Sequence, residues 1–315
     1  MKKTKFNPVS PFVKWLRIMS LSVVITFAQN QLYGQNHNES IDSVIILELN
    51  DGTLIQGEIE SINNKEITLN HKEKGQLVIP KYTVKNQRLA QPEDFVRGKL
   101  VHRNPHPSRY FYSPSALPMK KNTGYINASY FTVYQGQFGL TNKLSVGVTA
   151  TLFLQPMLIN AKWSEKITDK VHVSIGGQVG RLWWGDDATV GLAFGNVTFG
   201  DAEENITVNL GYGSRSKDKH GIAVSSFCMN KRLSEGISLV GEFFYIDGKA
   251  MDPIVMGGPG IRIYTGKKAA WDIGVMVFRQ ENKYDVFDYE QQKIIQKKEL
   301  NLLFPLPFFG VTYKI

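Results

Sequence analysis

Cysteine is nearly absent from this chain: Cys228 stands alone among 315 residues. A single thiol builds neither a disulfide framework nor a cysteine-ligated metal site. Cys228 also lies far from the N-terminus, so it cannot be the modified first residue of a lipoprotein. Long apolar runs are missing as well. Ile18 to Ala28 has 11 residues, where a membrane-spanning helix needs about 20. Nucleic-acid binding would need a clustered basic face. Five of the 37 basic residues, Lys2, Lys3, Lys5, Lys14 and Arg17, precede the apolar run, and residues 1–34 hold no acid. Basic residues, a short apolar run and then a polar stretch make the layout of a secretory signal peptide. Cleavage is expected after Ala28 or, preferably, after Gly34; the latter leaves 32 basic against 28 acidic residues, a net charge of +4 in place of +9. An exported chain with so little excess charge is not expected to meet nucleic acid.

What the chain has in abundance is alternation. In Leu144 to Phe153, residues Leu144, Val146, Val148, Ala150 and Leu152 share one face, while Ser145, Gly147, Thr149 and Thr151 share the other. A period of two is a β-strand with one apolar and one polar face. It returns about twelve times between Thr123 and Ile315: Tyr125–Tyr134, Gln135–Thr141, Leu144–Phe153, Met157–Lys166, Val171–Trp184, Thr189–Phe199, Asn205–Arg215, Gly221–Lys231, Ile237–Ile246, Ile254–Tyr264, Trp271–Arg279 and Pro305–Lys314. About ten residues tilted by about 45° stand about 25 Å tall, the height of an outer-membrane apolar band. In lipid the sheet must close, because an open edge leaves backbone donors without partners.

The apolar phase carries Val171, Val173 and Ile175, then Val208, Leu210 and Tyr212, then Trp271, Ile273 and Val275. The opposite phase carries Lys162, His172, Gln178, Asn209, Glu242, Asp272 and Lys314, the candidates for lumen-lining residues. Charge in that phase argues against a soluble sandwich, whose core would bury it without partners. Trp163, Trp183, Trp184, Tyr212, Tyr245, Trp271 and Tyr313 sit near strand ends, where an interfacial girdle belongs. Every second connection is tight, including Thr168-Asp169-Lys170 and Leu233 to Gly236, as periplasmic turns are; the long stretch Gln280 to Leu303 falls on the other side as an extracellular loop.

Ahead of the barrel, Ser43–Asn50, Thr53–Ile62, Lys65–His71, Gln76–Pro80 and Tyr82–Leu89 read as five short strands, with hairpin turns at Asp51-Gly52 and Asn63-Asn64. The phrases Asp51-Gly-Thr-Leu-Ile-Gln-Gly57 and Leu77-Val-Ile-Pro80 resemble the SH3-like or Sm-like small barrels. In an exported protein that resemblance implies a periplasmic peptide or envelope partner. The stretch Arg109 to Tyr125, with Phe138 to Gly147, resembles a group of uncharacterised outer-membrane β-barrel proteins of Gram-negative bacteria. The ending Phe308-Phe-Gly-Val-Thr-Tyr-Lys-Ile315 is similar to the terminal strand that barrel-assembly machinery recognises, except that Ile315 replaces the usual aromatic residue.

The expected architecture is therefore all-β: a signal peptide (1–34), a five-stranded SH3/Sm-like periplasmic domain (43–90), a linker and barrel entry (91–122), and an antiparallel outer-membrane barrel of about twelve strands (123–315). A narrow pore or small-solute binder is the leading functional expectation, with Lys162, Glu242, Asp272 and Lys314 tuning selectivity. A closed structural or interaction barrel is the alternative. A third reading is a lipid hydrolase built on His172 and Ser174, whose i, i+2 spacing of about 6–7 Å is too long for a direct hydrogen bond. The expected partners are outer-membrane lipid and, during insertion, the assembly machinery. No catalytic residue, metal or cofactor is expected, and the chain is read as not an enzyme. Asp186-Asp187 and Glu203-Glu204 read as turn charge rather than a cation site, and Met256-Gly-Gly-Pro-Gly260 as a strand bend rather than a phosphate loop.

Overall fold

The computed structural model describes residues 44–91, 94–96, 98–152, 156–182, 187–218, 220–248, 251–288 and 293–315, with only the backbone of 251 and 280–304. The expected signal peptide, Trp183, Trp184 and Asp186 lie outside the described residues. The chain divides into two compact units, with the boundary after Pro92.

The first unit is an antiparallel sheet of β1 (Val44–Leu49), β2 (Leu54–Ile62), β3 (Glu66–His71), β4 (Gly75–Pro80) and β5 (Val84–Leu89), in the order β4-β3-β2-β1-β5. Ile45, Leu47, Ile67, Leu69 and Ile79 form its buried core. Gly52 takes a positive φ of 94° in the turn between β1 and β2, and Asp51 Oδ1 accepts the Thr53 N–H at 2.8 Å, which is why Asp-Gly works there.

The second unit opens with a two-stranded ribbon, β6 (Phe95–Val96) and β7 (Lys99–Leu100). Twelve antiparallel strands follow and close into a barrel. They are β8 (Gly124–Ser129), β9 (Val133–Gly139), β10 (Leu144–Thr151), β11 (Met157–Thr168), β12 (Val171–Leu182), β13 (Ala188–Gly200), β14 (Glu204–Arg215), β15 (Ile222–Arg232), β16 (Ile237–Gly248), β17 (Met251–Thr265), β18 (Ala269–Asp288) and β19 (Lys293–Lys314). Each neighbour in sequence is a neighbour in the sheet, and β19 closes onto β8 from Gly310↔Ser129 to Lys314↔Tyr125. Each alternating segment of the sequence falls on one of these strands, except that Tyr125–Tyr134 runs past the end of β8, through the turn at Tyr130 and Phe131, into β9.

One expectation is corrected here. Gln280 to Leu303 is not a loop: β18 and β19 stay paired through it as far as Asp288↔Lys293. Its polar composition hid the strands, because a hairpin that outruns the apolar band needs no apolar face.

Outside, the alternation makes a continuous apolar surface. Ile175 is 69% exposed and Leu210 65%, with Ile159, Val208, Phe243, Ile273 and Val275 also exposed. A water-soluble monomer rarely shows so large an apolar patch, whereas a closed barrel in an outer membrane requires one. Trp163, Tyr212, Trp271 and Tyr313 are exposed on the same surface. We expect Ile175→Arg, at mid-height on β12, to cost about 2–4 kcal/mol in a bilayer, read as a shift in the urea-unfolding midpoint in liposomes. On a water-facing surface the same change stays within about 0.5 kcal/mol.

Candidate functional site: the lumen and its plug

Residues 104–117, expected as tether and barrel entry, are folded against the inner wall of the barrel. Pro105, Pro107, Pro114 and Pro118 keep this stretch out of regular structure. Asp94 takes the Arg103 guanidinium at 2.6 and 3.0 Å and so closes off the β6–β7 ribbon. The next residue is pinned to the β13–β14 turn: Asn104 donates its N–H to Glu203 Oε1 at 2.5 Å and its amide to Ala202 O at 2.9 Å. Glu203 also meets Arg232 Nη1 at 3.3 Å, and burial pushes its carboxyl up to about 7. Beyond this point the chain turns back on itself, with Tyr110 N–H on Ser113 O at 2.9 Å and Ser115 N–H on Ser108 O at 3.0 Å.

A non-regular segment buried in a barrel must place its backbone donors and acceptors on side chains of the wall. Glu242, fully buried on β16, accepts the N–H groups of Phe111, Tyr112 and Ser113 at 2.6, 2.9 and 2.6 Å. On β17, Arg262 donates to the carbonyls of Arg109 at 3.2 Å and Tyr110 at 2.9 Å, and forks onto Asp272 at 2.6 and 3.1 Å. Asp272 also meets Arg109 Nη1 at 3.3 Å, and that guanidinium donates to Thr312 Oγ1 and, at 2.8 Å, to Phe111 O. From β11, Lys162 Nζ donates to Ser115 O at 2.6 Å and Leu117 O at 3.2 Å. Asn196 and Thr198 on β13 serve Pro114 O and Ala116 N–H at 3.1 and 2.7 Å. The Tyr110 hydroxyl bonds Asn205 Oδ1 at 2.5 Å and Thr207 Oγ1 at 2.6 Å.

Apolar packing completes the seat. Phe111 lies against Phe308 with ring centroids 4.6 Å apart, in a cluster with Tyr110, Cys228, Val240 and Met276. A Cβ on Gly260 would come within 2.8 Å of the Phe111 ring and one on Gly274 within 3.4 Å, so the wall is glycine where the ring presses on it. Gly260 ends the Gly-rich phrase on β17, whose pairing with β18 is interrupted between Gly257 and Gly260.

The sequence candidates therefore have varied company. Glu242, Asp272 and Lys162 hold the plug, which corrects the reading of them as charges facing a water-filled channel. Asn209 is buried beside Ser226, to which it donates at 2.8 Å, and Gln178 is half-buried in the lumen above the plug. Lys314 is half-buried on the last strand. His172 is buried, its Nδ1 without a hydrogen-bond partner among the described residues, while Ser174 Oγ bonds Asn196 Oδ1 rather than His172. The hydrolase pairing is not assembled. Among the turn acids, Asp187 forks onto Arg181 at 2.8 and 2.9 Å and Glu204 meets Lys231 at 2.9 Å. Arg109 and Arg262 escaped the sequence reading. For Arg262 a signal existed, since Ile261-Arg262-Ile263 places an arginine in the inward phase; for Arg109, outside any strand, there was none.

No family model matches the sequence, and no curated protein matches it. Among solved structures, the outer-membrane-expressed OmpT of Vibrio cholerae aligns over 86% of this chain and 95% of its own at 10% identity, with a TM-score of 0.36. An in-vitro folded OmpT of the same organism aligns over 86% and 94% at 9% identity, with a TM-score of 0.34. Likeness at this level decides no role; the barrel assignment rests on the closed sheet and its apolar exterior. One expectation is corrected with it. The chain was read as not an enzyme, but a closed β-barrel does not by itself exclude catalysis, since a fold does not dictate chemistry. That exclusion does not stand.

Proposed function

We propose that this chain is a closed outer-membrane barrel, sealed by its own plug, that acts through what it binds rather than by conducting solute. The Glu242 carboxylate, receiving three consecutive N–H groups of the plug, is the observation that carries this reading. A channel-lining carboxylate would keep its oxygens in water, whereas this one is fully buried. The tight-turn end is read as periplasmic, as such turns are in outer-membrane barrels, with the N-terminal unit on that side. That unit is read as an SH3/Sm-like module for an extended peptide or another envelope partner. Its edge strands β4 and β5 support this, since an edge accepts an added strand, as do exposed Val78, Tyr82 and Leu89.

Planar-bilayer recording tests the seal. The full chain is expected to be silent, and the chain lacking residues 104–117 to show discrete conductance steps. Stable conductance from the intact, folded protein would overturn the closed reading.

A further inference from the structure

Above the plug, toward the end of the barrel away from the tight turns, the lumen is not full. A cavity of about 170 Å³ remains, floored by Tyr112, Ser113 and Pro114. Its walls carry five side-chain amides, those of Gln135, Gln137, Asn160, Gln178 and Asn209, interleaved with the apolar faces of Phe194, Phe244 and Leu192. Five amides from four different strands converge on a space the size of one small ring. Gln178, Leu192 and Val224 also line a second cavity of about 370 Å³ that reaches Arg215 and His220, so the two spaces adjoin.

We propose that this cavity binds a neutral, polyhydroxylated solute of single-ring size, a monosaccharide or cyclic polyol. Asn209 lines the cavity and is 8% exposed, and its buried Oδ1 has no hydrogen-bond partner among the described residues, although its Nδ2 is engaged with Ser226. A buried acceptor left unpaired costs about 1–3 kcal/mol, and turning the Asn209 amide toward the cavity brings it to a ligand hydroxyl. Asn160 and Gln178 make no side-chain hydrogen bond among the described residues. An amide both donates and accepts, which matches hydroxyls, and the aromatic and leucine faces match the C–H faces of a ring. An ionic ligand finds no free counter-charge: Lys162 is the charged residue of the lining, and its ammonium is committed to Ser115 O and Leu117 O. A wholly apolar ligand would leave the amides unsatisfied. The site rests on the closed-barrel reading, because the seated plug is its floor.

The test uses the full chain folded in detergent, in a preparation first shown to be silent in a bilayer. Glucose, galactose and myo-inositol are titrated by saturation-transfer NMR, with glucuronate as the charged counterpart. At least one neutral compound is expected to bind saturably with a dissociation constant of about 1 mM. Binding is expected to weaken at least about tenfold in Asn209→Leu, which removes one of its hydrogen bonds, and to vanish in Gln178→Trp, which fills the space. Gln178 has no hydrogen-bond partner to lose among the described residues, so Gln178→Trp remains informative if Asn209→Leu fails to fold. Absence of neutral binding to silent protein, tighter binding of glucuronate, or affinity unchanged in Gln178→Trp would each overturn the site. None of these results touches the seal; conductance in the starting preparation would overturn the seal instead.

Discussion

Glu242→Gln is expected to unseat the plug. The native carboxylate presents only acceptors to the N–H groups of Phe111, Tyr112 and Ser113. Glutamine offers one oxygen and turns two donors toward the same three donors, so at least one N–H is left buried without an acceptor. Each such group costs about 1–3 kcal/mol, and the relief of no longer burying a charge offsets part of the loss. A net cost of about 3 kcal/mol shifts the seated-to-released ratio by about a hundredfold. Trypsin reads this directly: Arg109 is buried in the native lumen and is expected to resist cleavage, whereas the variant is expected to be cut after Arg109 and to conduct in a bilayer. Glu242→Asp keeps an acceptor-only group and is expected to restore most of the protection. Equal protection and equal silence in wild type and Glu242→Gln would show that this carboxylate does not hold the plug.

The largest loss of stability is expected from Asp272→Asn. Asp272, Arg262 and Arg109 are all fully or nearly fully buried, and Asp272 is the carboxylate that both guanidiniums touch. Neutralising it leaves two buried cations on carbonyl and hydroxyl partners alone, and stranding a buried charge typically costs about 3–5 kcal/mol. The double variant Asp272→Asn with Arg109→Leu removes one of the stranded charges. Its urea midpoint should therefore lie above that of Asp272→Asn, a coupling that independent sites would not show. A double variant at or below the single variant would mean that the ion cluster is not the source of the loss.

Most of the barrel was legible in the sequence because the information is local. Each strand must turn one face to lipid, so alternate residues such as Val171, Val173 and Ile175 are apolar whatever lies across the sheet. The hairpin of β18 and β19 beyond the apolar band escaped, since no lipid disciplines its side chains there. The plug escaped for a different reason. Four prolines and no period leave 104–118 without a local signature, and its position is set by partners as distant as Thr312 for Arg109 and Glu242 for Phe111. The inward phase of Lys162, Glu242 and Asp272 was readable; their partners were not, because those partners are mainly backbone groups of a segment with no strand to betray it. Cys228 had no assignable face until Tyr110 and Phe111 were seen packed beside it.

By itself the sequence determined that there are about twelve alternating strands, which face of most of them meets lipid, and where the tight turns fall, because water and lipid act on every residue pair independently. Only the tertiary structure decided that the lumen is occupied, that its charges serve a plug, and that an amide-lined cavity is left above it. Those outcomes depend on buried donors and acceptors meeting between 45 and 203 residues apart in the chain, and in a closed lumen an unmet group has no water to turn to.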